Sequence, residues 1–102
     1  MRLIVFFDLP IETAKQRRNY RLFRRFLIND GYQMLQKSVY TRLTIDGKAV
    51  DAALKRLEAQ RPPEGLVQAL RVTEKQFAGM HIIAGDPYET GVVDSMERVI
   101  II

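Results

Sequence analysis

The chain has 102 residues, of which 47% are hydrophobic and 27% are charged, and its formal net charge is +4. This composition predicts one folded domain over residues 1–102 and excludes a disordered chain, which would contain fewer apolar residues. The absence of cysteine excludes disulfides and thiolate metal sites and suits a protein of the cytoplasm. No apolar run is long enough to span a bilayer and the start lacks the layout of a signal peptide, so we expect no membrane association.

A buried strand and a long helix are predicted at the start of the chain. Residues 2–8 predict this strand, because residues 3–7 are apolar or aromatic, the run stops at Asp8 and Pro10 prevents the strand from continuing. In residues 12–29 the apolar side chains recur at helical spacing. Gly31 supplies a C-terminal stop, so an amphipathic helix follows the strand.

The middle of the chain completes the pattern of a known fold class. Residues 32–36 and 39–45 are rich in β-branched and aromatic side chains and predict two antiparallel strands. An apolar stripe in residues 48–60 predicts a second helix, and residues 66–72 predict a fourth strand. The order strand, helix, strand, strand, helix, strand indicates an α+β, ferredoxin-like βαββαβ fold.

The predicted fold leaves one face of its sheet uncovered, and the rest of the chain suggests what covers it. A capping-box pattern at residues 73–76 predicts a helical turn, and residues 80–84 predict a fifth strand. Residues 97–102 end in four consecutive apolar residues and predict a further strand. An unpaired apolar strand would promote aggregation, so we expect this segment to pair with a sheet. A second copy of the chain would supply that sheet and cover the bare face.

Positive charge is concentrated in one part of the chain. Residues 15–42 contain eight basic residues and a single acid, Asp30. Five arginines of the predicted helix fall within an arc of about 120°, opposite its apolar side chains. They are Arg17, Arg18, Arg21, Arg24 and Arg25. Arginines stacked one turn apart repel one another, and an anion bound between them would relieve that repulsion.

These arginines predict a surface that binds the backbone of a nucleic acid. The guanidinium fork suits bidentate contacts with phosphate, and the sequence has no base-reading motif, so we expect sequence-independent binding. Lys15, Lys37 and Arg42 would extend the surface, although each alone is typical of a solvent-exposed charge. The alternative interpretation of the whole stripe is a solvated helix face.

Asp8 has two interpretations that the residues leave open. An aspartate ahead of a helix and near a proline commonly caps backbone amides in the turn. It is also a candidate ligand of Mg²⁺, which proteins often hold with one or two carboxylates plus water and phosphate oxygens. One carboxylate per chain is a sparse site, whereas two Asp8 side chains related by a dimer axis would form a plausible one.

Other candidates are weaker. His81 is the only histidine, and within a predicted strand we expect it to be packed or hydrogen-bonded. Glu12 is a second candidate for the metal, although a carboxylate in the first turn of a helix is expected from the helix dipole alone. Tyr32 and Tyr40 are candidates for stacking on bases, but strand tyrosines more often pack against the sheet.

Four stretches together resemble the CRISPR-associated protein 2 family, and most closely the branch that accompanies type II systems. They are FFDLP at residues 6–10, YRLFRRFL at 20–27, QKSVY at 36–40 and TEKQF at 73–77. Their order and spacing carry the resemblance, which covers essentially the whole chain.

The resemblance implies a ferredoxin-like homodimer in which an additional C-terminal strand, within a segment of about residues 80–102, pairs with the partner's sheet. It further implies a role in CRISPR spacer acquisition, in which the dimer binds duplex DNA and scaffolds an integrase partner. The integrase would then catalyse strand transfer.

The family is also described as metal-dependent endonucleases that act on RNA or double-stranded DNA. On this alternative the resemblance makes Asp8 the catalytic metal ligand, with Mg²⁺ as the cofactor, and the two Asp8 side chains of a dimer face each other. A related ferredoxin-like ribonuclease toxin of similar size and topology is a third hypothesis.

Overall fold

Four strands form one antiparallel sheet in residues 1–85, which are the residues that the computed structural model of the chain describes. The order along the chain is β1 (Arg2–Asp8), α1 (Ala14–Asn29), β2 (Gln33–Gln36), β3 (Val39–Leu43), α2 (Gly47–Ala59), β4 (Leu66–Val72) and α3 (Glu74–Ala78). The sheet order is β2-β3-β1-β4, with β1 and β3 in the centre. The predicted α+β class and the ferredoxin-like βαββαβ pattern are confirmed.

The ends of the two long helices follow from side chains that satisfy free backbone groups. The Thr13 side chain accepts from the backbone N–H of Gln16, whose own side chain accepts from the Thr13 backbone N–H, so α1 begins two residues later than predicted. After α1 the backbone of Gly31 has a φ of 96°, a left-handed conformation that glycine adopts without strain. Asp46 accepts from the Ala49 N–H and starts α2.

One face of the sheet packs against α1 and α2 to form the main core. Alternation along β1 places Leu3, Val5 and Phe7 on this face. The buried side chains Phe23 and Leu27 of α1 belong to the same cluster. The α2 side chains of the cluster are Val50, Ala53 and Leu57. The two helices therefore cover the face to which the odd-numbered residues of β1 point.

The opposite face, which we call the open face, is only partly covered. The short helix α3 brings Phe77 against Ile4 and Leu35, and these three side chains form a second, smaller buried cluster. Large apolar side chains beside this cluster stay exposed: Phe6, Leu43, Leu66 and Leu70. The bare sheet face predicted from the sequence is thus present, with α3 covering one part of it.

The predicted fifth strand is wrong for residues 80–84 as the structure describes them. This segment has no strand conformation, and its side chains, including His81 and Ile83, are exposed. A strand exists only beside a hydrogen-bonded neighbour, and within residues 1–85 none borders this segment. We had expected His81 to be packed or hydrogen-bonded within a strand. In the described chain its side chain is exposed and it lies outside the sheet. The predicted strand at 97–102 lies outside the described residues, and pairing with a second copy remains a prediction.

None of the helices in residues 1–85 has the length and hydropathy needed to cross a membrane.

Candidate nucleic-acid interface

Five exposed arginines on α1 form a continuous positive surface, which we call the arginine surface. They are Arg17, Arg18, Arg21, Arg24 and Arg25. The buried side chains of the same helix, Phe23 and Leu27, point the other way, into the core. The predicted geometry of the stripe is therefore present, because the 3.6-residue period separates the apolar positions from the arginines.

Two of these arginines are held by neighbouring groups. Arg17 donates from Nη1 to the carbonyl oxygens of Ile11 at 3.1 Å and Glu12 at 2.9 Å, which ties α1 to the loop after β1. Arg24 donates from Nε to the hydroxyl oxygen of Tyr40 at 2.8 Å. The first contact gives Arg17 a local structural role besides its charge.

The other three arginines carry charge that the described part of the chain does not neutralise. Within residues 1–85 no carboxylate pairs with Arg18, Arg21 or Arg25. Arg21 and Arg25 lie one turn apart and line a surface hollow together with Arg24 and Ile28. Like charges at this spacing destabilise a helix unless an anion or solvent screens them. The hollow is thus an open, cationic depression of a size and charge suited to an anion.

The three outlying basic residues differ in how available they are. Lys15, in the first turn of α1, and Lys37, in the turn between β2 and β3, are exposed. The Arg42 guanidinium instead pairs with the Asp30 carboxylate at 3.3 Å and also donates to the Asp30 carbonyl oxygen. Arg56 of α2 pairs with the same carboxylate at 2.8 Å. Arg42 therefore belongs to an ion-pair cluster in which it shares the Asp30 carboxylate with Arg56, so its guanidinium is less available to a phosphate than those of the arginine surface.

The tyrosines considered for base stacking are buried. Tyr32 is 4% exposed and Tyr40 is 1% exposed, so neither ring presents a face to a base. Burial raises the pKa of the Tyr32 phenol above its ordinary value of 10.0, and the Asp30 carboxylate raises it further, while Arg42 and then Arg56 act to lower it. Both rings serve packing, and Tyr40 in addition reaches Arg24.

Asp8 lies at the end of β1, opposite Leu66 of β4 in the strand register, and its side chain is exposed. Its carboxylate has no hydrogen bond or ion pair with any other residue among 1–85. The capping interpretation of Asp8 is wrong, because within residues 1–85 its carboxylate accepts no backbone N–H, and the Thr13 side chain caps α1 instead. Alternation along β1 places Asp8 on the same side as Phe6, the side of the open face. The carboxylate is thus free to bind a ligand brought to that face.

A metal would find few ligands in one copy of this chain. Among residues 1–85 no three His, Cys, Asp or Glu side chains come together as a metal-binding group. Mg²⁺ nevertheless needs only one or two carboxylates when water and phosphate oxygens complete its shell. Asp8 alone therefore fits Mg²⁺ as half of a shared site, and it does not fit a metal that requires several protein ligands.

Comparison with known proteins identifies the family of this fold. Residues 1–80 match the sequence model of the family described as CRISPR associated protein Cas2. The chain belongs to the Cas2 family. It is 47% identical over 102 residues, the whole of both chains, to the CRISPR-associated endoribonuclease Cas2 of Treponema denticola. It is 45% identical over the whole of both chains to the protein of the same name from Ligilactobacillus salivarius. Identity reaches 52% over 87 residues, 85% of each chain, with that of Acidovorax ebreus. The resemblance to the Cas2 family noted in the sequence is confirmed.

The sequence analysis did not predict two contacts that shape this surface of the Cas2 chain, the N-terminal cap of α1 and a hydrogen bond of Arg24. Thr13 and Gln16 have the same capping-box spacing that correctly predicted the Thr73 cap, so a signal for the start of α1 was present. The hydrogen bond between Arg24 and Tyr40 joins residues 16 positions apart on a helix and a strand. Its only signal was the presence of a polar group on a buried residue, which requires a hydrogen-bond partner that the sequence does not identify.

Proposed function

We propose that two copies of this Cas2 chain form a cytoplasmic homodimer that binds duplex DNA and scaffolds the integrase partner during CRISPR spacer acquisition. The observation that carries the proposal is the arginine surface, on which Arg18, Arg21 and Arg25 have no balancing carboxylate among residues 1–85. Membership of the Cas2 family supports the place in the CRISPR system.

The chemistry of the arginine surface favours a phosphate backbone over other anions. Guanidinium groups bind phosphate oxygens in pairs, and a helix that presents them along its length matches the repeated charges of a duplex. The two tyrosines considered for stacking, Tyr32 and Tyr40, are buried, so neither offers an aromatic platform to unstacked bases. A duplex read through its backbone therefore fits this surface better than a single strand, and duplex RNA is the competing ligand.

The open face supports the homodimer. Phe6 is 37% exposed and Leu66 and Leu70 are 57% and 51% exposed, although all three lie on the central strand β1 or its neighbour β4. Apolar side chains grouped on a sheet face are typical of a surface that another protein covers. A second copy of the chain would cover them and would bring the two Asp8 carboxylates to one interface.

The test measures the affinity of the purified protein for a fluorescent DNA duplex at several salt concentrations. Replacing Arg18, Arg21 and Arg25 together by alanine should weaken binding at least about tenfold and lower the salt slope by roughly 0.9 for each phosphate that the variant no longer neutralises. The three are chosen because, unlike Arg17, they hold no loop in place. The control replaces the exposed Lys48, Lys55 and Arg61 by alanine, which removes the same amount of positive charge from α2 and the residues after it, outside the arginine surface. Equal losses of affinity in both variants would refute a specific surface, and unchanged binding in the first would refute the proposal.

A second candidate function is a metal-dependent endonuclease that uses Asp8 and acts on RNA or double-stranded DNA. The free carboxylate of Asp8 supports it, and the relatives described above are named endoribonucleases. Asp8 of each copy would hold a shared Mg²⁺, which when bound would activate water and neutralise charge at a scissile phosphate. Asp8 itself would bind and orient the ion from the end of β1.

Cleavage of labelled single-stranded RNA and duplex DNA, with and without Mg²⁺, tests this function. Asp8→Asn should abolish metal-dependent cleavage while leaving duplex binding within about twofold, because Asp8 lies outside the arginine surface. Glu58→Gln removes an exposed carboxylate of α2 that is no candidate for the metal, and is the control. Cleavage that survives in Asp8→Asn would exclude Asp8 as the catalytic ligand.

A further inference from the structure

Tyr40 joins the aromatic core to the arginine surface. It lies in β3, is 1% exposed, and packs its ring on Phe7 with the ring centroids 5.6 Å apart. Its position is fixed further by the pairing of β3 with both β1 and β2. Its hydroxyl oxygen accepts a hydrogen bond from Nε of Arg24 at 2.8 Å. A rigid, buried group therefore holds an exposed, otherwise flexible side chain.

This hydrogen bond selects which edge of the Arg24 guanidinium is available. An arginine can grip an anion through Nε together with one terminal nitrogen, or through its two terminal nitrogens. Tyr40 occupies Nε, and among residues 1–85 nothing else hydrogen-bonds to Arg24. The edge formed by Nη1 and Nη2 thus has no hydrogen-bond partner among residues 1–85, and Arg24 is one of the residues that line the hollow with Arg21, Arg25 and Ile28.

We propose that Tyr40 is a positioning residue that orients Arg24 for end-on, bidentate contact with one backbone phosphate in this hollow. The inference rests on the proposed DNA-binding function and adds a defined phosphate subsite to it. Binding a phosphate normally requires an arginine to give up its rotamer freedom, which weakens affinity. Because the hydroxyl of Tyr40 restricts Arg24 beforehand, the side chain gives up less freedom when the duplex binds.

The first comparison is between Tyr40→Phe and Tyr20→Phe, measured by fluorescence anisotropy with a labelled DNA duplex. Each change removes one hydroxyl from a ring that packs on Phe7, and the Tyr20 ring lies 5.8 Å from Phe7. Tyr20 has no hydrogen bond to an arginine of α1 in residues 1–85. Tyr40→Phe should weaken binding roughly threefold to tenfold, the range expected for one hydrogen bond, and Tyr20→Phe should bind within about twofold of wild type. The salt slope should not change, because both variants keep every charge.

A double-mutant cycle shows whether Tyr40 acts through Arg24. In an Arg24→Ala background, Tyr40→Phe should change affinity less than about twofold, because the side chain that it orients is already gone. Arg24→Lys keeps the charge but removes the fork, so it should weaken binding while leaving the salt slope near the wild-type value. Thermal melting of each variant shows whether the fold is retained.

The outcomes separate this inference from the function on which it rests. If Tyr40→Phe binds as wild type while the alanine variant of Arg18, Arg21 and Arg25 is weakened, the positioning role is refuted and the DNA-binding function stands. If Tyr40→Phe weakens binding equally with and without Arg24, Tyr40 acts through the fold and the inference is again refuted. If neither Tyr40→Phe nor the alanine variant of Arg18, Arg21 and Arg25 changes the affinity for the duplex, the proposed function itself is refuted.

Discussion

Gly65 lies against the main chain of Asp8, so closely that a Cβ atom built on Gly65 would stand 2.6 Å from the Asp8 carbonyl oxygen and 2.7 Å from a methyl carbon of Leu9. Gly65 also has a φ of 94°, which L side chains rarely adopt. It immediately precedes β4, whose first residue, Leu66, pairs with Asp8. The end of β1 is therefore held in place by a neighbour that has to lack a side chain.

Gly65→Ala should lower the free energy of unfolding by about 2–4 kcal/mol, because the new methyl group meets backbone atoms and the left-handed conformation becomes strained. The same displacement should disturb the position of Asp8, so any Mg²⁺-dependent cleavage should fall although no carboxylate is removed. Urea unfolding gives the stability change. Gly47→Ala is the control, since nothing lies within 4 Å of a Cβ there, and it should stabilise α2 by about 0.5 kcal/mol. Equal stability of the two variants would contradict the role assigned to Gly65.

A second prediction concerns the attachment of α3 to the open face. Buried Arg2 donates from Nε to both carboxylate oxygens of Glu74, at 3.0 and 3.3 Å, and its guanidinium lies 4.2 Å from the centre of the Phe77 ring. Glu74→Ala should lower the free energy of unfolding by about 1–2 kcal/mol, because it removes a charge-assisted hydrogen bond from a buried arginine. The effect should not be larger, because the Glu74 side chain is 46% exposed and solvent screens its charge. Hydrogen exchange of the α3 amides should quicken.

Asp51→Ala provides the matched control for that change. Asp51 pairs with Arg71 at 3.1 Å, but both side chains are well exposed, so the decrease in stability should stay within about 0.5 kcal/mol. Urea unfolding of the two variants side by side makes the comparison. If Glu74→Ala were no more costly than Asp51→Ala, the buried contact of Arg2 would not hold α3 on the sheet.

The sequence predicts elements well where the residues themselves end them. Strand β1 stops at Asp8 ahead of Pro10, and both β1 and β4 have their predicted bounds. It fails where structure depends on a neighbour, as in residues 80–84, whose β-branched side chains adopt a strand only beside another strand. The arginine surface was predictable because helical periodicity alone creates it.

The hydrogen bonds and ion pairs of the basic residues were not predictable, because tertiary packing decides them. Arg42 was expected to be an open charge, but Asp30 at the end of α1 lies within reach of it and of Arg56. Tyr40 was correctly expected to pack in the sheet, yet its hydroxyl meets Arg24 only because α1 crosses that face of β3. Periodicity places a residue on a face and does not name its partner on another element.

A third prediction follows from the burial of Tyr32. Its hydroxyl oxygen is buried without a hydrogen-bond partner in the described part of the chain, so Tyr32→Phe should leave stability at neutral pH unchanged or raise it by about 1 kcal/mol. Burial, followed by the Asp30 carboxylate, raises the pKa of this phenol above 10.0. Below pH 10 Tyr32 keeps its proton in both the folded and the unfolded state, so this group makes no contribution to the pH dependence of stability there.

Above pH 10 the unfolded Tyr32 loses its proton while the folded one keeps it, so stability falls as the pH rises toward the folded pKa. The slope from this one group is at most about 1.4 kcal/mol per pH unit. Urea unfolding of wild type and Tyr32→Phe between pH 8 and pH 11, pH values chosen to bracket the ordinary pKa of 10.0, should therefore show the wild type losing more stability above pH 10. Parallel curves for the two proteins would contradict the raised pKa.

The last prediction concerns the second copy of the chain. Leu43 and Leu70 are 57% and 51% exposed on the open face and neither pairs with Asp8, so exchanging both for glutamate should leave the monomer folded. In a dimer that covers this face the same carboxylates would be buried without partners, at a cost of several kcal/mol, and the protein should sediment as a monomer. Leu22→Gln changes a comparably exposed leucine, 45% exposed on α1, without adding a negative charge beside the arginine surface, and should remain dimeric.

Sedimentation and cleavage measured on the same variants also test the proposed metal site. If Asp8 is only half of a shared Mg²⁺ site, the monomeric variant should lose metal-dependent cleavage with Asp8 intact, because one carboxylate per chain leaves the ion with too few protein ligands. Leu22→Gln should cleave as wild type does. A variant that sediments as a monomer and still cleaves would show that one chain suffices, whereas a glutamate variant that stays dimeric would place the interface elsewhere than the open face.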